Sequence, residues 1–414
     1  MLDVHDRLAE LEELGLSQRM RMVSGPQGPR VILDGKPVLL LGSDNYLGLA
    51  DHPRVREAAA DAAMRWGAGA GSSRLVSGNM TLHRRLEERL ADFNGTEAAL
   101  LFGSGYLANA GVIPALAGKG EIVFADELNH ASLLDGCHLS GAEVVVYDHA
   151  DLDHLEWALR NADGRAALIV TEGVFGASGD VAPLEAIVEL AGAHDVRLMV
   201  DDSHGTGTVG PDGRGAVAAA GLEREVDIVS GSLATALGSY GGYVCCDRSL
   251  ARYLLASARP LMLSSGLPPT AVAAAMAALE LLREQPRRVE KLEANADALC
   301  KQLAREGFEV AGCSTQIVPL IVGDARLTVR ISEAALEHGV YAPALRAPAV
   351  PEGGARLRLT VMASHTKAEL REAAQVLGRA ALRTGWRPSA GVPVAAVPSP
   401  HHAVFDGATL PRAA

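Results

Sequence analysis

From Ala98 onward the chain alternates short apolar runs with stretches of helical periodicity. The runs are Ala98–Phe102, Ile122–Phe124, Val144–Tyr147, Ala166–Thr171, Leu198–Val200, Ile228–Ser230 and Gly242–Cys245. A run that is apolar at nearly every position suits a strand buried on both faces, and strands of that kind separated by helices form parallel sheets. The alternation therefore predicts an α/β fold with a large, doubly wound, mainly parallel sheet. In such sheets ligands sit at the carboxyl ends of the strands. The polar motifs of this chain fall at those ends.

The flanking regions read differently. Residues 3–16 have apolar positions at helical spacing and predict a short amphipathic helix. Residues 30–41 predict a hairpin around Asp34-Gly35. Residues 270–305 read as one long helix, and 306–382 as mixed strands and helices ending on a helix over Thr366–Thr384. The expected organisation is an N-terminal segment (1–45), a large α/β domain (46–285), a small C-terminal α+β domain (286–384) and a Pro- and Ala-rich tail (385–414). The tail lacks periodicity and is expected to be disordered or loosely draped.

Composition excludes several classes of function. The 414 residues are 48% hydrophobic, enough for a sizeable core, and at roughly 100–200 residues per domain the prior is two or three domains. The net charge of −12, without a basic tract, argues against a nucleic-acid partner. No run approaches the ~18 consecutive apolar residues of a membrane span. The polar, acidic start Met1-Leu2-Asp3-Val4-His5-Asp6 is unlike a signal peptide, so a cytoplasmic protein is expected. The five cysteines, Cys137, Cys245, Cys246, Cys300 and Cys313, have no metal-ligand spacing and are odd in number, which suggests reduced thiols.

Five polar stretches carry the candidate chemistry. Gly103-Ser104-Gly105-Tyr106 follows a strand and opens a helix, where free amides and the helix dipole suit an anion; a plain tight turn explains the glycines equally well. Asp126-Glu127-Leu128-Asn129-His130-Ala131-Ser132 follows the next strand, and a lone histidine there is more often structural. Val200-Asp201-Asp202-Ser203-His204-Gly205 is the strongest cluster: a carboxylate at a strand end can keep a pyridinium nitrogen protonated. The same residues suggest a metal only weakly, since no second ligand cluster accompanies them, and no metal is expected. Gly205-Thr206-Gly207-Thr208-Val209-Gly210 has the spacing of a dinucleotide loop, but a turn, Pro211–Gly215, follows where a helix is required. Arg356-Leu357-Arg358 alternates on a strand, which puts both arginines on one side. The fifth stretch, Asp227-Ile228-Val229-Ser230-Gly231-Ser232-Leu233-Ala234-Thr235-Ala236-Leu237-Gly238, runs from a strand into a small-residue loop.

Taken together, and with Ser43–Leu49, Thr171–Leu184 and Ser264–Pro269, these motifs resemble the α-oxoamine synthases over about residues 1–382. These are pyridoxal-phosphate (PLP) enzymes of fold type I that condense an amino acid with an acyl thioester. The resemblance implies that His130 stacks on the cofactor ring, Asp201 pairs with its nitrogen and His204 contacts its phenolic oxygen. It also implies that Ser104, Gly105, Tyr106, Ser232 and Ser265 belong to the cofactor site. Arg358 best matches the substrate-carboxylate arginine, with Arg346 and Arg21 as weaker candidates. Asn45 and Ser264 are implied to come from the other chain of a homodimer. The family's Ser-Met-Asp is replaced by Gly176-Ala177-Ser178.

One departure outweighs the rest. The family's Gly-Thr-Leu-Ser-Lys-Ala-Leu-Gly is here Gly231–Gly238, and the lysine position is Thr235. A threonine hydroxyl forms no imine and is not basic near neutrality. The expectation drawn from this is an acyltransferase without covalently bound cofactor, PLP being held at most non-covalently. It would use an acyl-CoA or acyl-carrier-protein thioester and a small-molecule acceptor, with His130 or His204 as general base and the Ser104–Tyr106 amides stabilising an oxyanion. The alternatives are a non-catalytic partner of a lysine-containing homologue, and a lysine mutant of an ordinary PLP enzyme.

Overall fold

The computed structural model describes residues 3–13, 19–310, 314–347 and 349–387. Among them the chain divides into two compact units. One consists of Asp44–Gly176 and Asp180–Glu293; the other takes the residues up to Ser43, Ala177–Gly179 and those from Ala294 onward.

The first unit is built on a seven-stranded sheet. Its strands are β1 (Ala98–Phe102), β2 (Ile122–Asp126), β3 (Glu143–Tyr147), β4 (Ala166–Glu172), β5 (Arg197–Asp201), β6 (Ile228–Ser232) and β7 (Gly242–Cys246). They lie in the order β1-β7-β6-β5-β4-β2-β3. Pairing is parallel from β6 across to β3, while β7 is antiparallel to both of its neighbours. The exception has a simple cause. A parallel return needs a crossover of about a dozen residues or more, and the link from Ser232 to Gly242 is shorter, so the chain turns back beside itself. Because β1 is also antiparallel to β7, six strands point the same way. Phe102, Asp126, Tyr147, Glu172, Asp201 and Ser232 therefore end on one edge of the sheet.

Phe102, Val112, Val123, Leu168, Met199, Ile228 and Val244 form part of the core beneath that edge. The helices Gly105–Leu116 and Ala131–Ser140 pack on one another there. Their approach requires Gly136, since a Cβ there would stand 2.9 Å from both the Asn109 carbonyl oxygen and Ile113 Cδ1. The single helix expected over 270–305 is two helices, Pro269–Glu284 and Arg287–Arg305. Pro286 has no N–H to continue the ladder and pushes the preceding residue out of the helical region; Gln285 sits at φ −131°, ψ 61°.

In the other unit, Arg30–Leu33 and Lys36–Leu40 form the expected hairpin, with Asp34 (φ 49°) and Gly35 (φ 80°) in the left-handed region that short hairpin turns demand. The first helix covers Val4–Glu13, and residues 14–16 of the predicted span lie outside the described residues. A three-stranded sheet joins Ile317–Gly323, Ala355–Thr360 and Ala344–Leu345. The last helix, Lys367–Arg383, begins in a capping box between Thr366 and Glu369. From residue 388 the tail lies outside the described residues.

Cys137, Cys245 and Cys246 are buried free thiols. Cys313 lies outside the described residues. Among the described residues no helix is long and apolar enough to cross a membrane.

Candidate active site

The carboxyl edge of the sheet gathers most of the candidate residues of the larger unit. Asp201, the last residue of β5, is buried, and both of its oxygens are taken by donors. Asn109 Nδ2 donates to Oδ2 at 2.6 Å, and the Ser203 amide donates to Oδ1 at 2.9 Å. Asn109 is itself held in that orientation, because Ser230 Oγ donates to its Oδ1 at 2.8 Å and its Nδ2 also reaches Ser132 Oγ at 2.9 Å. Asn109, Ser132 and Ser230 were given no role in the sequence reading. The available signal was that Asn109 lies four residues after Gly105, on the same helix face.

His130 caps the helix Ala131–Ser140, and its ring is exposed. The Ser132 amide donates to His130 Nδ1 at 3.2 Å. A neutral imidazole that accepts at Nδ1 carries its proton on Nε2. His204 is arranged oppositely. Its Nδ1 lies 2.8 Å from the hydroxyl of Tyr46, which donates to Asp44 Oδ1 at 3.0 Å. Asp201, Asp202 and His204 do not converge as metal ligands: Asp202 instead accepts the Ala216 amide at 2.8 Å, and burial pushes its carboxyl up to about 7.

Glu172, at the end of β4, accepts the His130 amide at 2.7 Å and the Gly176 amide at 3.0 Å. Complete burial, and then the adjacent Asp201 charge, push its carboxyl well above the usual range against those two donors. Ser104 caps the helix Gly105–Leu116 by accepting the Leu107 amide at 3.1 Å. The first amides of a helix have no intrahelical partner, so Gly105 and Tyr106 bring two donors to this edge. A Cβ added at Gly105 would meet Ser203 Oγ at 3.5 Å and Ser232 Cβ at 3.6 Å, so these three residues line one small cradle. Thr235 is buried just beyond β6, and its hydroxyl donates to the Ser203 carbonyl at 2.8 Å. Ser265 is exposed and bridges to Ser73. Asn45 is buried and accepts the Ala50 amide through Oδ1 at 3.1 Å.

The candidate arginines belong to the other unit. Arg21 binds Asp34 at 2.9 Å and also pairs with Glu333. Arg346 is buried, and Arg358, on the strand Ala355–Thr360, is half-buried.

A charged clamp stands beside the site. Asp126 is buried at the end of β2 and faces His149 Nδ1 at 2.8 Å, while His149 Nε2 faces Asp180 at 2.7 Å. Burial acts to lower the pKa of His149, but hydrogen bonds and charge from the two carboxylates outweigh it and lift the value to about 10. The folded value lies above the ordinary 6.5, so this stabilisation is complete below about pH 6.5 and is lost as pH rises through 10. His149→Ala, which strips a partner from the buried Asp126, is expected to cost about 3 kcal/mol in urea denaturation at pH 7. The deficit should shrink toward pH 10.

The large, mainly parallel sheet of this chain matches the fold of the PLP-dependent transferases of fold type I. The sequence matches the family "Aminotransferase class I and II" over residues 36–377. It is 47% identical to an 8-amino-7-oxononanoate synthase of Citrifermentans bemidjiense over 383 residues, covering 92% of this chain and 98% of that protein. Among solved structures it resembles a lysine-to-alanine variant of serine palmitoyltransferase from S. paucimobilis with bound PLP–myriocin aldimine. The TM-score is 0.88 at 33% identity, over 93% of this chain and 100% of that one. A serine palmitoyltransferase with PLP internal aldimine matches with the same TM-score, identity and coverage. The chain belongs to the α-oxoamine synthase family.

These relatives correct one expectation. The family is built around PLP, and one of the matching structures holds it as an internal aldimine. The expectation of a chain with no covalently bound cofactor, and PLP at most held non-covalently, is overturned by that finding. It rests on a single side chain, Thr235, whereas Asp201, His204 and His130 all lie at the carboxyl edge of the sheet.

Proposed function

We propose that this protein is a PLP-dependent acyltransferase that condenses an amino acid with an acyl-CoA or acyl-carrier-protein thioester, in the manner of the 8-amino-7-oxononanoate synthases. The observation that carries the reading is the Asp201–Asn109 pair: a buried carboxylate, locked in orientation, at a strand end where it would face the ring nitrogen of PLP. The remaining surroundings fit the same group. The Gly105 and Tyr106 amides, with Ser203 and Ser232, suit its phosphate, and the exposed ring of His130 suits stacking on its face. PLP supplies an electron sink for the carbon next to the amino group.

The chain's own residues then do the following. Asp201 would hold negative charge against the ring nitrogen of that group. The exposed ring of His130 would lie against the face of that group. His204, whose Nδ1 is held at 2.8 Å by the Tyr46 hydroxyl, would meet the phenolic oxygen of that group. Arg358, with Arg346 and Arg21 as weaker candidates, binds the amino-acid carboxylate as a bidentate guanidinium. Asn45, Ser264 and Ser265 serve the neighbouring subunit's site in a cytoplasmic homodimer.

The product name of the relatives defines the test. A nine-carbon acid with a ketone at C7 and an amine at C8 joins a seven-carbon acyl group to the two-carbon skeleton left when alanine loses its carboxyl. The protein, PLP, alanine and a thioester of a seven-carbon dicarboxylic acid should yield equal amounts of free thiol, carbon dioxide and the amino-ketone, read by mass spectrometry. Thiol without ketone defeats the proposal in favour of hydrolysis. Thr235 favours a second reading, a non-catalytic partner subunit. No turnover, together with co-purification of a lysine-containing homologue, would establish it.

A further inference from the structure

The helix Thr81–Asn94 of the larger unit carries a histidine that the reading above does not use. His83 is fully buried in the helix's first turn. The Met80 amide donates to its Nδ1 at 3.0 Å, and its Nε2 stands 2.9 Å from the Leu267 carbonyl oxygen. A backbone N–H can only donate, so Nδ1 accepts and the ring proton is on Nε2, where it is donated to Leu267. Burial keeps the imidazole below its ordinary pKa of 6.5, so the ring is neutral at pH 7. With one nitrogen on Met80 and the other on Leu267, this ring joins the start of a helix to a segment about 180 residues further along the chain.

That segment needs such a hold. Leu267 is buried, and Pro268 and Pro269, which follow it, have no N–H with which to join a ladder. Ser265 just before it bridges to Ser73, and the Gly266 amide donates to the Ser72 carbonyl at 2.9 Å. The approach is tight: a Cβ at Gly266 would stand 2.7 Å from the Gly78 carbonyl oxygen. The loop on the other side of this seam is fixed by the same helix, one turn beyond His83. Glu87 pairs with Arg74, Arg74 Nη2 reaching Oε2 at 3.0 Å, and it also accepts the Leu101 amide of β1 at 2.9 Å. Arg74 in turn donates to Asn79 Oδ1 at 2.7 Å, closing the loop on itself. His83 and Glu87, four residues apart on one helix face, therefore each hold one side of the seam. Ser265 is exposed at its edge.

We propose that His83 and Glu87 are positioning residues that fix the Ser264–Leu267 segment on the Ser72–Asn79 loop and so present Ser265 to the PLP phosphate of the neighbouring subunit. This rests on the reading of Ser264 and Ser265 given above and deepens it. His83 has no free nitrogen to offer a ligand, so its whole contribution passes through the Leu267 carbonyl and the residues beside it.

The test reads PLP binding to the full-length protein by equilibrium dialysis, without turnover. Ser265→Ala should weaken binding about tenfold, the loss of one hydrogen bond to a charged group. His83→Phe, which fills the ring's space with neither donor nor acceptor, should weaken it by a similar factor. If His83 acts through Ser265, the double variant is no weaker than the single ones by more than about twofold; independent effects would multiply to about a hundredfold. Multiplication, or a His83→Phe protein that binds PLP like wild type, overturns the inference. Gly266→Ala shifts the same segment from its other side and should show the same dependence on Ser265, which keeps the test sharp where His83→Phe does not fold. In the wild type, nitrogen-15-labelled histidine should reveal one neutral ring with the proton on Nε2 that stays neutral while exposed histidines titrate near about pH 6.5. The absence of such a ring also overturns the inference. A wild type that binds no PLP defeats the functional reading and this inference with it, whereas wild-type binding with a multiplicative cycle defeats the inference alone.

Discussion

Thr235→Lys is expected to raise the turnover of amino-ketone formation by about 10²–10⁴-fold, the range by which a positioned acid–base group acts. Thr235 is buried immediately beyond β6, and its hydroxyl points at the backbone of Ser203. Ser203 lies between Asp201 and His204 in the sequence, and its amide is bound to the Asp201 carboxylate. A side chain leaving position 235 thus heads toward the residues that would hold the cofactor ring. A hydroxyl placed there has no useful basicity. An amine can attack a carbonyl and, with its pKa lowered by burial, can carry a proton. The substitution gives up the Thr235–Ser203 hydrogen bond, worth about 1 kcal/mol, which should appear as a small loss of stability. The gain is read as the initial rate of amino-ketone formation at saturating alanine and thioester. Thr235→Met fills similar space without the amine and should leave turnover at the starting level. A lysine variant with no faster turnover would show that position 235 does not face the reacting atoms.

Much of the sheet was legible because its signal is local. Runs such as Ile122–Phe124 and Ile228–Ser230 are apolar at every or nearly every position, and a strand buried on both faces needs little more. The Asp34-Gly35 turn was legible for a similar reason, since its chemistry is contained in two residues. The break at Pro286 was missed because the amphipathic pattern continues on both sides of it, and periodicity over a long window outvoted one residue that cannot donate a hydrogen bond. At the site, the strand-end position of Asp201 could be read, but its partner could not. Asn109 reaches it only after the crossovers place β5 beside β6 and over the helix following β1. The approach of Tyr46 to His204 and the bridging of Asp126 and Asp180 by His149 are long-range contacts of the same kind. Such contacts depend on the order β1-β7-β6-β5-β4-β2-β3, which the list of runs does not determine. The error about the cofactor came from weighting one substituted side chain above a set of retained ones.

Asp201→Asn should lower turnover by about 10²–10³-fold, comparable to losing a preorganised electrostatic partner in a closed site. The reason begins with Asn109. Its Oδ1 is committed to Ser230, so its Nδ2 must face Asp201 as a donor. The Ser203 amide faces the other carboxylate oxygen, also as a donor. An ionised carboxylate satisfies both. A carboxamide offers one acceptor and one donor, so whichever way it turns, one N–H group meets another. The variant therefore loses the negative charge opposite the ring nitrogen and gains a buried donor–donor conflict costing about 1–3 kcal/mol. The two effects separate in a second variant. Asp201→Asn with Asn109→Asp restores an acceptor opposite the new amide and should recover much of the stability in urea denaturation, while turnover stays low because the charge sits one residue further from the ring. If the single variant instead keeps full turnover with PLP present, the buried carboxylate is structural only, and the site must be read without an electrostatic partner for the ring nitrogen.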